Sequence, residues 1–503
     1  MLNQKTKSIQ KAFAFLAVIV GSISLASGQK LEIHWEKPDR ISKTSATLQV
    51  VVNPPLRPGS PISAPAYANV KRLGADYVRY VPWLPYPKLG VAELDPPSNG
   101  KTSWDFSLID PMTIDFLKAT AGHPVILNFS TIPAWLFKTP KPVSYPKDPN
   151  QVIWDYTQGT ELRDPSGKEL GDYYARLVSW YVNGGFTDEL GKRHGSGHHF
   201  KIDYWEVLNE ADFEHQMTPQ QYTERYDVIV TAIRKVAPQM KFVGLALALP
   251  DRVPQMFEYF LNPQNHKPGI PLDMISYHFY AAPTADQTPE IQQYTFFEQA
   301  DRFLATVRYI EAIRQRLSPG TRTTIDEIGS ISADDMEQNN QGHVTKPIPA
   351  SYWNLSGAMY AYLFGNLASL GIDVVGESQL LGYPTQYASV SMVDWNTGAP
   401  NARFKVLDLL RNNFGPGDKI FSVNGSPPNV YALGFITKNG SHKVLLINKR
   451  DRDCQITLPQ RAREIAVVDQ TTNSQRPTRA PLQSETVTLR GLAVAVVTLE
   501  SGR

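Results

Sequence analysis

Two observations predict the fold class. Strand-like runs alternate with helical periodicity eight times, and the helical pattern then vanishes in the tail. Together they predict an α/β protein, a (β/α)8 TIM barrel with an appended C-terminal antiparallel β-sandwich. The runs are rich in Val, Ile, Tyr and Phe. They are "TLQVVV", "DYVRYV", "PVILNF", "IDYWEVL", "KFVGLAL", "DMISYHFY", "TTIDEI" and "IDVVGES". Strands alternating with helices argue for a parallel sheet. Eight such units favour a closed barrel over an open sheet, with the functional site at the C-terminal ends of the strands. The barrel is expected over residues 45–414 and the sandwich over 415–503.

In chain order, the first expectation is an export signal at residues 1–28. Lys5, Lys7 and Lys11 precede the apolar run "AFAFLAVIVGSISLA", and "ASG" offers small residues for cleavage. The run is shorter than the ~20 residues of a spanning helix. A secreted or periplasmic protein, free of the membrane after cleavage, is therefore expected. "KLEIHWEK" is strand-like and, standing at 29–44 outside the barrel count, is expected to join the tail. In "TPQQYTERYDVIVTAIRKVAP", Thr218 caps a helix and Pro219 takes its first position. Tyr222, Tyr226, Ile229 and Ile233 make its buried stripe, and Pro238 stops it. Phe303, Val307, Ile310, Ile313 and Leu317 repeat the pattern, and the last two helices each close on a glycine. In the tail, "NVYALGFITKNGSHKVLLINKR" reads as a hairpin about Asn439-Gly440. "REIAVVDQ", "ETVTLR" and "AVAVVTLE" supply further strands.

Composition narrows the function. The chain has 503 residues, enough for a large domain and a smaller one. Hydrophobic residues at 42% and charged residues at 19% exclude a disordered chain. A net charge of +2 gives no reason to expect nucleic acid or an acidic membrane surface as partner. Cys454 is the only cysteine, so an intrachain disulfide and a cysteine metal cluster are excluded. Glycosylation sequons begin at Asn128, Asn354, Asn424 and Asn439.

The chemistry is carried by two carboxylates. In "YWEVLNEADFEH" a buried-looking strand ends on Asn209 and Glu210. Glu327, in "TTIDEIGS", ends the seventh strand. Strands four and seven stand nearly opposite in such a barrel, so the two side chains can meet across its mouth. Facing carboxyls are what glycoside cleavage needs: a protonated one for the leaving oxygen, an ionised one for the anomeric carbon. A gap of ~5 Å permits direct attack, and ~6.5–9.5 Å admits a water. Asn209 can hydrogen-bond the sugar 2-OH. Asp326 is the rival of Glu327. Neighbours on a strand face opposite ways, so one is expected in the lumen and the other toward the helices.

On these residues the chain resembles a retaining glycoside hydrolase of clan A, and most of all glycoside hydrolase family 39, the β-xylosidase and α-L-iduronidase group. "LNEAD" is similar to the acid/base motif at Asn209 and Glu210, and "DEIGS" to the nucleophile strand at Glu327. "YVRYVPW" resembles the second strand, where Arg79 is implied to hydrogen-bond the nucleophile. "YHFY" is similar to the sixth-strand pair, His278 and Tyr280. Ala211 stands where the family usually has Pro.

Together with the N-terminal pattern, the resemblance implies an exported retaining glycosidase acting on oligo- or polysaccharides, with Glu210 as acid/base, Glu327 as nucleophile and no cofactor or metal. Trp83 and Trp135, after strands two and three, and Trp395, after strand eight, can stack on sugar rings or pack the core. Asn128 and Glu377, ending strands three and eight, are further candidate substrate contacts. The loop from Ser130 to Lys168 is expected to wall the cleft. Two other readings stay open: a carbohydrate-binding barrel without turnover, and a metal-dependent hydrolase. "DFEH" (Asp212, Glu214, His215) and "KRHGSGHH" match no tight ligand set and read as solvated loops.

Overall fold

The computed structural model describes residues 30–154, 159–337 and 346–500. The expected export segment, 1–28, lies outside the described residues. The barrel strands are β1 (Ser45–Val51), β2 (Val78–Val81), β3 (Val125–Leu127), β4 (Tyr204–Glu206), β5 (Lys241–Leu247), β6 (Met274–Ala281), β7 (Arg322–Ser330) and β8 (Val374–Glu377). They run parallel and close, with β8 paired to β1. They are the eight runs read from the sequence.

The helices are α1 (Ser63–Leu73), α2 (Asp110–Ala119), α3 (Lys168–Val182), α4 (Pro219–Val236), α5 (Pro254–Phe260), α6 (Pro289–Leu317), α7 (Ala350–Leu370) and α8 (Ala402–Asn413). α4 starts on a capping box. The Thr218 hydroxyl accepts from the Gln221 N–H at 3.2 Å, and the Gln221 side chain accepts from the Thr218 N–H at 3.0 Å. Such a cap contributes about 1 kcal/mol. α7 closes on Gly371 at φ 84, the left-handed conformation glycine adopts freely. Among the described residues no helix is long and apolar enough to cross a membrane.

Side chains alternate across each strand. Ile126, Tyr204, Val243, Met274 and Val374, from five strands, form a closed apolar cluster in the lower lumen. Two residues on, three of these positions turn polar: Asn128, Glu206 and Ser276. The intervening Trp205 and Ile275 join the large core shared with the helices.

The tail comprises β9 (Lys419–Asn424), β10 (Val430–Ile436), β11 (His442–Asn448), β12 (Cys454–Thr457), β13 (Ala462–Val468), β14 (Thr478–Pro481), β15 (Thr486–Leu489) and β16 (Val494–Leu499). The main sheet runs Glu32–Ile33, β9, β10, β11, β16, β13, β14, and β12 pairs separately with β15. Arg40–Ile41 also pairs with β9. The hairpin turn is wider than a two-residue Asn-Gly turn. The Gly440 N–H donates to the Thr437 carbonyl at 2.7 Å, with Gly440 at φ 79. The sheet buries both faces. Leu445 and Ile447 join the barrel's core, while Val444 and Leu446 face Ile456, Val487 and Leu489 of the small sheet.

Candidate active site

Beyond β4 the chain turns through Leu208 (φ 63) and Glu210 (φ 43), a region bulky residues avoid. Such backbone costs about 1–3 kcal/mol per residue and persists only where its surroundings hold it. Here the Glu210 N–H donates to the Ala246 carbonyl at 2.8 Å, tying the turn to the end of β5. The turn brings Asn209 and Glu210 to the wall of a cavity of about 140 Å³ at the C-terminal mouth of the barrel.

Glu327 lines the same cavity. The pairing of β7 slips against β8 between Ile325 and Ile328. A bulge re-aims side chains, and here Asp326 and Glu327 both reach the lumen. The expectation that one of them would face the helices is corrected. Gly376 of β8 leaves the room: a Cβ there would stand 3.0 Å from the Asp326 Cα. Asp326 lies deeper, accepting from the Ser276 hydroxyl and 3.5 Å from the Arg79 Nε.

Arg79 is fully buried at the centre of this arrangement. Its Nη1 donates to Glu327 and, at 2.9 Å, to Gln49 Oε1. Its Nη2 donates to Asn209 Oδ1 at 2.7 Å, and its Nε to Glu206. Tyr280 Oη donates to Glu327 Oε2 at 2.7 Å. His278 Nδ1 stands 2.9 Å from Glu210 Oε1 and 3.5 Å from Glu327 Oε2.

These contacts drive the two carboxyls apart. Burial, helped by the charge of Glu327, raises Glu210 above the usual carboxylate range, although His278 opposes this. Burial also pushes on Glu327, but the charges of His278 and Arg79 and hydrogen bonds from Tyr280 and Arg79 outweigh it and hold this group low. Burial disfavours charge on His278, yet Glu327 and Glu210 raise it to about 9. Two acids with opposed shifts match a proton donor beside an ionised nucleophile. Oxygens of Glu210 and Glu327 and a ring nitrogen of His278 lie within 4.8 Å of one another. That set could hold a metal ion, for which the His278 imidazole would have to be neutral.

Two acids escape the sequence reading. Glu206, beneath Arg79, is raised to about 8, chiefly by burial, with Asp326 adding to the shift. Its signal is alternation: Trp205 faces outward, so Glu206 faces in. Glu214 has none, because it sits in an irregular polar turn. Its Oε1 accepts from Trp83 Nε1 at 2.7 Å and Asn209 Nδ2 at 2.9 Å, and its buried Oε2 has no hydrogen-bond partner among the described residues. Burial and the charge of Glu210 raise it to about 8.

"DFEH" is thus not a solvated loop throughout. Glu214 and His215 turn inward, Asp212 accepts the Ala248 and Leu249 N–H groups, and Phe213 alone stays exposed. The histidines of "KRHGSGHH" disperse, His194 to Asp188 and His198 to Asp110.

Trp83 lines the cavity and meets Trp154 at 5.5 Å and Tyr387 at 6.1 Å. Trp154 comes from the long loop after β3, which does reach the rim. Three expected substrate contacts are corrected. Asn128 is fully buried, donating to Glu206 at 2.6 Å and the Leu208 carbonyl, and its sequon is sealed with it. Trp135 donates to the Glu93 carbonyl at 2.9 Å and carries Arg163 over its ring at 4.7 Å, away from the cavity. Glu377 is fully buried and paired with Arg403 at 3.0 Å. Trp395 packs on the core. Of the other sequons, Asn354 is buried in α7, and Asn424 and Asn439 are exposed.

Residues 67–322, just over half of the chain, match glycosyl hydrolases family 39. The chain belongs to that family. Within the tail, residues 427–497 match the C-terminal immunoglobulin-like domain of D-apionate lactonase. A β-xylosidase of Caldicellulosiruptor saccharolyticus is 26% identical over 218 residues, 43% of this family 39 chain. The match spans 38% of that relative's length. Among solved structures, the GH51 arabinofuranosidase of Xanthomonas axonopodis pv. citri superposes with a TM-score of 0.63 at 11% identity, covering 94% of this chain and all of that one. A GH30 endoxylanase of Clostridium papyrosolvens C71 gives 0.56 at 13%, with the same coverage. At these identities the likeness carries the fold.

Proposed function

We propose that this chain is an exported retaining β-glycosidase, β-xylosidase-like, that removes a terminal sugar from an oligo- or polysaccharide. One observation carries the mechanism: Glu210 and Glu327 bring carboxylate oxygens within 4.8 Å, with their proton affinities pushed opposite ways. Retaining chemistry needs carboxyls ~5 Å apart, and inverting chemistry needs more room. The cavity of about 140 Å³ is well below the ~300–1,000 Å³ of drug-sized ligand sites. It suits one sugar ring.

In the first step the Glu210 proton passes to the glycosidic oxygen as the C1–O bond breaks, and a Glu327 oxygen bonds to C1. The alcohol leaves, and a glycosyl ester remains on Glu327. In the second step Glu210, now a carboxylate, takes a proton from water while the water oxygen bonds to C1. The ester bond breaks, and both glutamates return to their starting states. Arg79 and Tyr280 hold Glu327 ionised and oriented, and Asn209 faces the 2-OH.

Kinetics on aryl β-xylosides test this. Glu327→Ala is expected to lose on the order of 10⁴-fold or more in kcat, and Glu210→Ala about 10²–10⁴-fold. The wild-type rate should fall on the acid side as Glu327 gains a proton, below the ordinary ~4.3 of glutamate, and on the alkaline side as Glu210 loses one, above it. Product of inverted configuration by NMR would sink the retaining mechanism. A metal-dependent reaction at Glu210, His278 and Glu327 is the second reading, and loss of activity in EDTA would favour it. Export rests on the N-terminal pattern, and a mature protein that still begins at Met1 would contradict it.

A further inference from the structure

Phe213 is 63% exposed, yet it is one of the residues that line the cavity. It makes no ring-to-ring contact among the described residues. Its N–H donates to the Glu210 carbonyl at 2.8 Å, so the two residues share one turn. In the proposed reaction Glu210 gives its proton to the leaving oxygen, so its side of the cavity is where the departing group lies. In that reading one sugar fills the cavity of about 140 Å³. A flat apolar ring, largely exposed and lining the cavity beside the proton donor, is then in reach of whatever is attached to that sugar.

We propose that Phe213 is the platform of a leaving-group subsite for a ring with a flat apolar face. An aromatic aglycone and the carbon face of a second pyranose share that chemistry. The proposal rests on the glycosidase reading for its orientation. It gives Phe213 a part in the first chemical step and none in the second, because the leaving group has gone before water attacks.

The test compares wild type with Phe213→Ala and Phe213→Trp on three β-xylosides: methyl, phenyl and xylobiose. Phe213→Ala is expected to lose roughly tenfold in kcat/KM on ring-bearing substrates, to leave the methyl xyloside within twofold, and to leave hydrolysis of the glycosyl-enzyme unchanged after a burst. Phe213→Trp should restore the loss. A larger loss for phenyl identifies an aromatic aglycone, and a larger loss for xylobiose identifies a second sugar. Equal losses on all three substrates, or a slower second step, would overturn the subsite. Calorimetry on the Glu327→Ala protein separates the two ideas. Phenyl xyloside binding weakened by Phe213→Ala, with methyl xyloside binding unchanged, upholds the platform even where no turnover is found. Equal weakening of both ligands, or of neither, overturns it.

Discussion

Two residues along β3, β4 and β6 separate an apolar lumen from a polar one. The inward side chains of β6 run Met274, Ser276, His278, and those of β4 run Tyr204, Glu206. Below, side chains from five strands fill the space by shape. Above, Arg79 is surrounded by Glu206, Asp326 and Glu327, all nearly sealed from water. Burying charge is costly even when it is paired. The upper layer therefore weakens the fold in order to set proton affinities, and the lower layer and the helices must offset it. One backbone supports both, because the strand repeat keeps each layer's residues on the same face.

The contrast can be broken most severely at Arg79. Arg79→Leu leaves the carboxyls around it without their cation and should cost about 3–5 kcal/mol in denaturant unfolding. Hydrolysis should vanish with it. Met274→Ala opens the lower layer. It should cost about 2–5 kcal/mol and leave kcat near wild type wherever the protein stays folded. A large loss of kcat there would mean the two layers are not separable. Glu214 sharpens the picture with the smallest effect. Because its carboxyl is raised to about 8, Gln is a near match for the neutral acid. Glu214→Gln should stay within about twofold of wild type in KM below pH 8. Glu214→Ala, which frees both Trp83 and Asn209, should raise KM about tenfold.

Much of this was legible in the sequence because it is local and periodic. All eight strands and the α4 cap follow from patterns within a few residues of each other. So does the placing of Glu210 and Glu327 toward the C-terminal sides of β4 and β7, although Glu210 stands in the turn four residues past β4 and Glu327 within β7. What escaped depends on distant neighbours. Asp326 enters the lumen because β7 bulges into space that Gly376 leaves open, 50 residues later. Trp135 is held by a carbonyl 42 residues earlier. Asn128 and Glu377 do stand at strand ends, but each meets a buried charged partner there, and no strand pattern announces that partner. Glu214 has the composition of a surface turn and is drawn inward by the indole of Trp83.

The main tail sheet has no idle face. Leu445, Ile447, Val494 and Val496 pack on the barrel's helices, and Val444, Leu446, Ala495 and Val497 meet the small sheet. The junction near residue 415 therefore resembles a weld more than a tether. An engineer who severs the chain there to obtain a minimal enzyme would lay bare a greasy strip along α7 and α8, and such a fragment would clump before it could be assayed.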